Sequence, residues 1–230
     1  MLVDQVKYKA EDYDPDLHTG NIDQLTLLHI PEGARVLDIG CATGFIGHWL
    51  QTQKGCKVTG VEYGPAQAEV ARTQLEAVIT GSIEAPEVQA QINELQSFDV
   101  VMATAAIVCM VDPWALLEQM KSWIAPGGKL VITCANVAHW SIRRNLLFGK
   151  WDYKDFGVLD VVALRFFTVN SFRRSLEKAG YRITAFDAEF YDGGPRVLLR
   201  RLGLKRLERW YVQHFVNFFA IQFMFEAVPA

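Results

Sequence analysis

Short apolar runs rich in β-branched residues alternate with longer stretches of mixed polarity along the chain. This alternation predicts strands joined by helices, the pattern of an α/β fold with a mostly parallel sheet. The run FDVVMAT at 98–104 is almost continuously apolar, as expected for a strand that helices cover on both faces. Strands are predicted at 36–39, 57–62, 77–81, 98–104, 129–134, 181–190 and 218–228. Helices are predicted at 23–30, 65–73, 86–95, 114–124, 140–148 and 169–179, and a further helix begins at 45. A tight turn is predicted at 125–128.

The first predicted strand runs into a glycine-rich turn. Asp38 lies near the end of the strand, Gly40, Ala42 and Gly44 follow at every second position, and a helix is predicted from Phe45. Glycines let a ligand approach the backbone closely, and a helix N-terminus offers it free N–H groups. The turn alone fits either a dinucleotide or S-adenosylmethionine (SAM). A carboxylate before the first glycine would repel a pyrophosphate and attract an ammonium group, which favours SAM.

A second acidic residue ends the second predicted strand. Glu62 lies 24 positions after Asp38, near the spacing at which an acid meets the hydroxyl pair of a ribose. A carboxylate suits that position because it accepts hydrogen bonds from both hydroxyls at once. Tyr63 follows and is placed to stack beside an adenine.

With these residues, and with the later segment APGGKLVIT, the chain resembles the class I SAM-dependent methyltransferase family over about residues 33–190. The resemblance implies one SAM-binding domain over 1–230, with an N-terminal arm (1–30) and an inserted lid (136–168). It implies a Rossmann-like, seven-stranded, mostly parallel sheet with helices on both faces and an antiparallel last strand. Asp38 would hold the methionine amine and Glu62 the ribose. The other cofactor-binding residues implied are Gly40, Cys41, Gly44, Tyr63, Ser82, Ile83, Ala103 and Thr104.

The predicted lid resembles that of one subset of the family, the small-molecule methyltransferases with L-L-x-G-x-x-x-Y and L-R-F-F-T signatures. Here the signatures read LLFGKWDY at 146–153 and LRFFT at 164–168. Arg165 and Arg143 are candidates for binding the acceptor, since a guanidinium can clamp a carboxylate. Asn136, Tyr8 and Tyr13 are the other candidate substrate-binding residues, the two tyrosines lying on the arm that is expected to cover the cofactor.

The chain departs from the family where a catalytic base would be expected. Relatives commonly read D-V-L-E-H-L after the fourth strand, where this chain reads AAIVCM at 105–110, and Ala163 replaces the histidine before L-R-F-F-T. A hydroxyl acceptor usually needs a base to take its proton. The remaining base candidates are His139, Asp160 and Tyr153, with His18 on the arm.

Three hypotheses about function follow from these departures. The first is a methyltransferase whose acceptor needs no base, such as a carboxylate. The second is other SAM chemistry, such as a ring closure that releases methylthioadenosine. The third is a protein that binds SAM without catalysis. A dehydrogenase is a distant alternative.

Composition limits the classes of partner. The chain has 230 residues and a net charge of −3, so it presents no overall basic field for nucleic acid. No apolar run is long enough for a membrane span, and no metal site is expected. The four cysteines contain no C-x-x-C pair and are predicted to be reduced thiols of a cytoplasmic protein. A small-molecule substrate is the expected partner, and a homodimer stays open.

Overall fold

Strands and helices alternate as the sequence pattern predicts in the computed structural model, which describes residues 21–190, 202, 204 and 214–230. The strands are β1 (Arg35–Ile39), β2 (Lys57–Glu62), β3 (Ala77–Thr80), β4 (Phe98–Ala103), β5 (Ile124–Ala135), β6 (Tyr181–Phe190) and β7 (Ala220–Pro229). The helices are α1 (Ile22–Leu28), α2 (Phe45–Lys54), α3 (Pro65–Ala71), α4 (Pro86–Asn93), α5 (Pro113–Met120), α6 (Trp140–Leu147), α7 (Val169–Lys178) and α8 (Val216–Phe219).

All seven strands belong to one sheet, in the order β3-β2-β1-β4-β5-β7-β6. The neighbours from β3 to β5 pair in parallel, whereas β7 pairs antiparallel with both β5 and β6. The predicted fold class, a mostly parallel seven-stranded sheet whose last strand is antiparallel, is confirmed. The strand order reverses between β1 and β4, which is where open α/β sheets bind their ligands.

Apolar side chains are buried on both faces of the central strands. Along β4, Val100 and Met102 belong to one hydrophobic core, and Val101 and Ala103 belong to the other. Successive side chains of a strand point to opposite faces, so this division explains the nearly continuous apolar run.

The structure corrects the predicted turn at 125–128. These residues form a bulge inside β5, since Phe98 pairs with Ile124 and Val100 pairs with Lys129. Gly127 has a positive φ of 82° there, which glycine adopts without strain. The predicted helix at 114–124 ends earlier, at Met120, and a 3₁₀ turn at Lys121–Trp123 leads into the strand. The glycines do mark a local irregularity of the backbone, but strand pairing with β4 continues on either side of it.

Side-chain caps fix the N-termini of α5 and α7. Asp112 precedes α5, and its Oδ1 accepts a hydrogen bond from the amide of Ala115 at 3.1 Å. Thr168 precedes α7 and forms a capping box with Ser171. Such caps satisfy amides that the helix itself leaves without partners. They therefore set where the connection at 136–168 ends and where the turn after β4 meets α5.

The connection at 136–168 rests on the 3₁₀ turn Ala106–Cys109 that follows β4. The amides of Leu164 and Arg165 both donate to the carbonyl of Val108, at 2.8 and 2.9 Å. Near the two ends of the connection, Asn136 and Phe167 form a parallel bridge. These contacts hold the segment against the edge of the sheet where β4 and β5 end.

Asn136 fastens the start of this connection to β7. Its side chain is fully buried, and Nδ2 donates to the carbonyls of Asn217 (3.0 Å) and Ala220 (2.7 Å). Oδ1 accepts from the amide of Ala138 at 3.1 Å. Both amide hydrogens and the amide oxygen are therefore engaged inside the protein, which gives Asn136 a structural role whatever else it contacts.

Replacing Asn136 with alanine should destabilise the fold by about 3 kcal/mol, because two buried backbone groups and the half-buried carbonyl of Asn217 lose their side-chain partner. The measurement is urea-induced unfolding followed by circular dichroism. The matched control is Asn170→Ala, since Asn170 is exposed on α7 and should change the free energy of unfolding by about 0.5 kcal/mol or less. Equal losses in the two variants would contradict this role for Asn136.

Candidate cofactor and acceptor site

The loops after β1, β2, β4 and β5 meet at one edge of the sheet, because the carboxyl ends of parallel strands lie together. Asp38, near the end of β1, pairs with Gly60 of β2 and Met102 of β4. The amide of Ala105, just after β4, donates to Oγ1 of Thr133 in β5 at 2.8 Å. The edge is thus tied together across the point where the strand order reverses.

The glycine-rich turn after β1 is packed too tightly for side chains at its key positions. Gly40 and Gly44 have φ values of 75° and 82°, and a Cβ on Gly40 would lie 2.6 Å from the Cβ of Ala106. Ala42 also has a positive φ, 49°, a conformation that costs a residue with a Cβ about 1–2 kcal/mol. Cys41 is buried, and this burial raises the pKa of its thiol. Small residues at these positions let a ligand approach the backbone closely, while the amides of Gly40 and Cys41 already donate to the carbonyl of Val61.

Two carboxylates flank this turn. Asp38 is 2% exposed, and burial, followed by the charge of Glu62, raises the pKa of its carboxyl to about 7. Glu62 accepts hydrogen bonds from the amides of Ala42 (2.9 Å) and Gly64 (2.8 Å), which fix its carboxylate beside the turn. Among the described residues, no cation pairs with either group. The arrangement favours a ligand that brings a positive charge to Asp38.

The residues predicted to meet the adenine lie in the loops after β2 and β3. Tyr63 is 65% exposed, so its ring is free to cover a ligand. Ile83 is buried and packs in the hydrophobic core. The hydroxyl of Ser82 accepts from the amide of Glu84 at 3.2 Å. Of these three predicted contacts, Tyr63 has the most accessible side chain.

The wall after β4 is apolar. Ala103 is buried at the end of the strand, and Oγ1 of Thr104 is buried without a hydrogen-bond partner in the described chain. Ile107 and Val108 are buried in the turn that follows. This wall contains no acidic or basic side chain at 105–110, so a base for the acceptor would have to come from elsewhere.

His139 lies four residues beyond β5 and caps α6. Its ring is 1% exposed, and burial lowers the pKa of the imidazole to about 4. Nδ1 accepts from the amide of Ser141 at 3.4 Å and lies 2.7 Å from the Ser141 hydroxyl. Nε2 is buried and has no hydrogen-bond partner in the described chain. The imidazole is thus neutral near pH 7, with one nitrogen engaged and the other not.

The other two predicted catalytic residues lie farther along the same connection. Asp160 is buried, and its Oδ1 accepts from the amide of Val162 at 3.1 Å. Tyr153 is exposed, with its ring 6.5 Å from that of Phe166. Asp160 therefore shapes a turn, whereas the hydroxyl of Tyr153 is open to a ligand or to solvent.

The two predicted substrate-binding arginines both contact backbone carbonyls. Nε of Arg143 donates to Ala138 at 2.6 Å. Arg165 donates through Nη2 to Val111 and lies 6.0 Å from the ring centre of Trp114. Each guanidinium is held in place by these contacts and retains further donors. Tyr8, Tyr13 and His18, the candidates on the arm, lie outside the described residues.

Sequence reasoning missed several residues that organise the site. The carboxylate of Glu84 accepts from the amides of Val111 (2.9 Å) and Asp112 (2.7 Å), so it joins the loop after β3 to the loop after β4. Oγ1 of Thr133 accepts from the amide of Ala105, and the amide and hydroxyl of Ser141 contact Nδ1 of His139. A serine two positions after a histidine at a predicted helix start was a usable signal, whereas the role of Glu84 depends on tertiary contacts.

The part of the chain that the structure describes contains no group of three histidine, cysteine, aspartate or glutamate side chains placed to hold a metal ion. Within that same part, no helix has both the length and the apolar character needed to cross a membrane.

Comparison with known proteins connects this chain to one family. A family model described as "Methyltransferase domain" matches residues 13–185. The ubiquinone biosynthesis O-methyltransferase of Xanthomonas axonopodis pv. citri (strain 306) is 31% identical over 138 residues, which cover 55% of this chain and 57% of that protein. The chain thus matches little more than half the length of such curated relatives.

Solved structures share the fold at low sequence identity. A SAM-dependent methyltransferase from Archaeoglobus fulgidus superposes with a TM-score of 0.62 at 16% identity, covering 93% of this chain and 94% of that one. Phosphoethanolamine N-methyltransferase 2 of Haemonchus contortus, solved in complex with SAM, gives a TM-score of 0.57 at 17% identity, covering 99% of this chain and 59% of that one. At such identities the likeness supports the fold alone.

The buried carboxyl of Asp38 should make the stability of the ligand-free protein depend on pH. Its pKa of about 7 in the folded state lies above the ordinary value of 3.8 that applies to the unfolded state, so stability is lost as pH rises from about 4 to about 7. Asp38→Asn cannot ionise and avoids this loss. Its stabilisation relative to the parent should be about 2–3 kcal/mol larger at pH 8 than at pH 5, measured by urea unfolding without cofactor.

Asp152→Asn is the control for this prediction, because Asp152 is exposed on the 136–168 connection. The control should change stability equally at the two pH values. A gain for Asp38→Asn that is the same at pH 5 and pH 8 would show that Asp38 is not held in the folded state as described.

Proposed function

Because this chain belongs to the methyltransferase-domain family, whose model matches residues 13–185, we propose that it transfers the methyl group of its cofactor, SAM, to a small-molecule acceptor. The observation that carries the proposal is the pair of carboxylates beside the glycine-rich turn. Asp38 is buried with no cation among the described residues, and Glu62 is oriented by two backbone amides. An ammonium group and a ribose are the ligands that this pair suits best.

The proposed contacts follow the order of the loops. Asp38 holds the methionine amine, directly or through water, and Glu62 accepts from the ribose hydroxyls. The backbone of the turn approaches the methionine and ribose portions. The remaining proposed contacts are Gly40, Cys41 and Gly44 in the turn, Tyr63, Ser82 and Ile83 at the adenine, and Ala103 and Thr104 at the apolar wall.

The acceptor is proposed to be a small molecule that offers an oxygen atom. The curated relatives are named O-methyltransferases, and the 164–168 segment, LRFFT, resembles the small-molecule subset of the family. The amides of Leu164 and Arg165 fasten this segment to the turn after β4, where an acceptor would meet the methyl group. Arg143, Arg165 and the exposed ring of Tyr153 are the proposed acceptor contacts on this connection.

Catalysis is proposed to depend on alignment more than on a strong base. Methyl transfer is a direct displacement, so holding the acceptor oxygen in line with the methyl group supplies much of the rate. Asp160 and His139 are the buried ionisable side chains on this connection, but the lowered pKa of His139 makes it a weak base near pH 7, and Oδ1 of Asp160 accepts from the amide of Val162. An acceptor that is already ionised would need neither residue as a base.

One observation favours a second candidate, a SAM-consuming cyclase or lyase. The wall at 105–110 contains no ionisable group apart from the thiol of Cys109. Such an apolar wall beside a sulfonium would suit an intramolecular ring closure that releases methylthioadenosine. A protein that binds SAM without catalysis is the third candidate.

Replacing Glu62 with alanine should weaken SAM binding by about 1.5–3 kcal/mol, because the ribose loses charge-assisted hydrogen bonds. Isothermal titration calorimetry of SAM into the purified protein measures this loss. Glu62 also orients the amides of Ala42 and Gly64, so Glu62→Gln should lose less, since its amide oxygen can replace part of those contacts.

Glu69→Ala is the matched control, because Glu69 is an exposed glutamate on the neighbouring helix α3. It should bind SAM like the parent. Unchanged SAM affinity in Glu62→Ala would remove the proposed cofactor placement, and a failure of the parent protein to bind SAM would remove the proposed function.

A further inference from the structure

We propose that His139 is an acceptor-binding residue whose Nε2–H donates a hydrogen bond to an anionic oxygen of the methyl acceptor. The site would then select carboxylic acids and acidic phenols, which arrive ionised, over neutral alcohols and amines. This inference rests on the proposed methyl-transfer function and names the chemical class of its acceptor.

We assign the proton of the neutral ring to Nε2, because Nδ1 accepts from a backbone amide. Nδ1 caps α6 by accepting from the amide of Ser141, and the Ser141 hydroxyl lies 2.7 Å from the same nitrogen. A proton on Nδ1 would point at that amide hydrogen and would abolish the cap. The lone pair of Nδ1 is therefore used within the protein, and Nε2 is a donor.

Nε2 is a buried donor without an acceptor. His139 is 1% exposed, and no oxygen of the described chain lies within hydrogen-bond reach of Nε2. Buried polar groups in native proteins are nearly always paired, and an unpaired one lowers stability. A ligand oxygen that binds next to the ring would satisfy this N–H.

His139 lies at the edge of the sheet that carries the predicted cofactor site. It follows β5, and its amide donates to the carbonyl of Asn136 at 3.1 Å. Asn136 in turn pairs with Phe167, and the same connection rests on the carbonyl of Val108 after β4. These contacts tie the segment that carries His139 to the turn after β4 that forms the apolar wall.

A hydrogen-bond donor at Nε2 of His139 is consistent with the lack of a catalytic base among the neighbouring residues at 105–110 and 163. The low pKa of the imidazole and the engaged Nδ1 make His139 a poor proton acceptor at neutral pH. Residues 105–110 and Ala163 supply no substitute. With an oxyanion, the oxygen bonds to the methyl carbon while the carbon–sulfur bond breaks and sulfur keeps the electron pair. The products are a methyl ester or ether and S-adenosylhomocysteine, and no proton has to move.

Two variants of His139 separate its role as the N-cap of α6 from its role as a hydrogen-bond donor through Nε2. Asparagine is a favoured N-cap residue and retains an acceptor near the position of Nδ1, but it lacks the distal N–H. Glutamine places an amide N–H near the position of Nε2. His139→Asn should therefore keep the thermal stability and SAM affinity of the parent, whereas His139→Gln should retain more of the contact with the acceptor.

The activity test supplies SAM labelled in its methyl group with four single-ring compounds: benzoate, 4-nitrocatechol, benzyl alcohol and benzylamine. We expect label on benzoate or 4-nitrocatechol only. His139→Asn should lower kcat/KM about tenfold or more, the effect of losing a hydrogen bond to a charged group, and His139→Gln should lose less. Methylation of benzyl alcohol or benzylamine, or an unchanged kcat/KM in His139→Asn, would overturn the inference.

A spectroscopic readout decides the case in which no probe is methylated. Nitrogen-15 NMR of the histidine-labelled protein in complex with S-adenosylhomocysteine should place the proton on Nε2 of His139, and 4-nitrocatechol should shift that resonance. A proton on Nδ1, or no shift with saturating 4-nitrocatechol, would overturn the inference. Calorimetry with SAM identifies the other failure, since a protein that does not bind SAM fails the proposed function itself.

Discussion

The structure of this site depends on one electrostatic constraint, the burial of Asp38 beside Glu62 with no cation from the described chain to balance them. Burial and like charge both oppose ionisation of Asp38, and its pKa rises to about 7. The protein keeps this unfavourable pair at the point where the strand order reverses, next to a turn with three positive φ values. The ammonium group of the proposed ligand would relieve this constraint and would account for an acid in a buried position.

The loops around the pair are held mainly by contacts to the backbone. Glu62 orients the turn after β1, Thr133 holds the amide that follows β4, and Glu84 joins the loops after β3 and β4. The carbonyl of Val108 receives two amides from the 136–168 connection. In each of these contacts one partner is the backbone of a loop residue, so the side chain of that residue takes no part in the contact. Residues such as Ala103 and Ile107 can therefore be apolar, and they form the apolar wall after β4.

The sequence predicted the sheet well because its signals are local. The bounds of β2 and β6 agree with those predicted, since each strand is bordered by turn residues, and the capping role of Asp112 is confirmed. The bulge at 125–128 was misread as a turn because its glycines signal a turn equally well, and only pairing with β4 shows that the strand continues. The spacing of Asp38 and Glu62 could likewise be read from the sequence. The effect of Glu62 on the pKa of Asp38 could not, because it depends on the parallel pairing of β1 with β2, which brings the two carboxyls close together.

The acceptor side was much less predictable from sequence. His139 and Asn136 were candidates by residue type, but their roles depend on neighbours up to 84 positions away, such as Ala220. The tautomer of His139 depends on Ser141, and the orientation of Arg165 depends on the carbonyl of Val111. Residue type suggests such candidates, and the folded structure assigns their roles through a local contact for His139 and through tertiary contacts for Asn136 and Arg165.

The most direct test of the account is mass spectrometry of SAM after incubation with the purified protein and no acceptor. The account predicts that intact SAM is retained at about one molecule per chain and is released unchanged on denaturation. Methylthioadenosine with a small cyclic product, formed faster than in a protein-free control, would contradict methyl transfer and favour a cyclase. A protein that neither retains nor alters SAM would contradict the assignment of the cofactor to the Asp38 and Glu62 site.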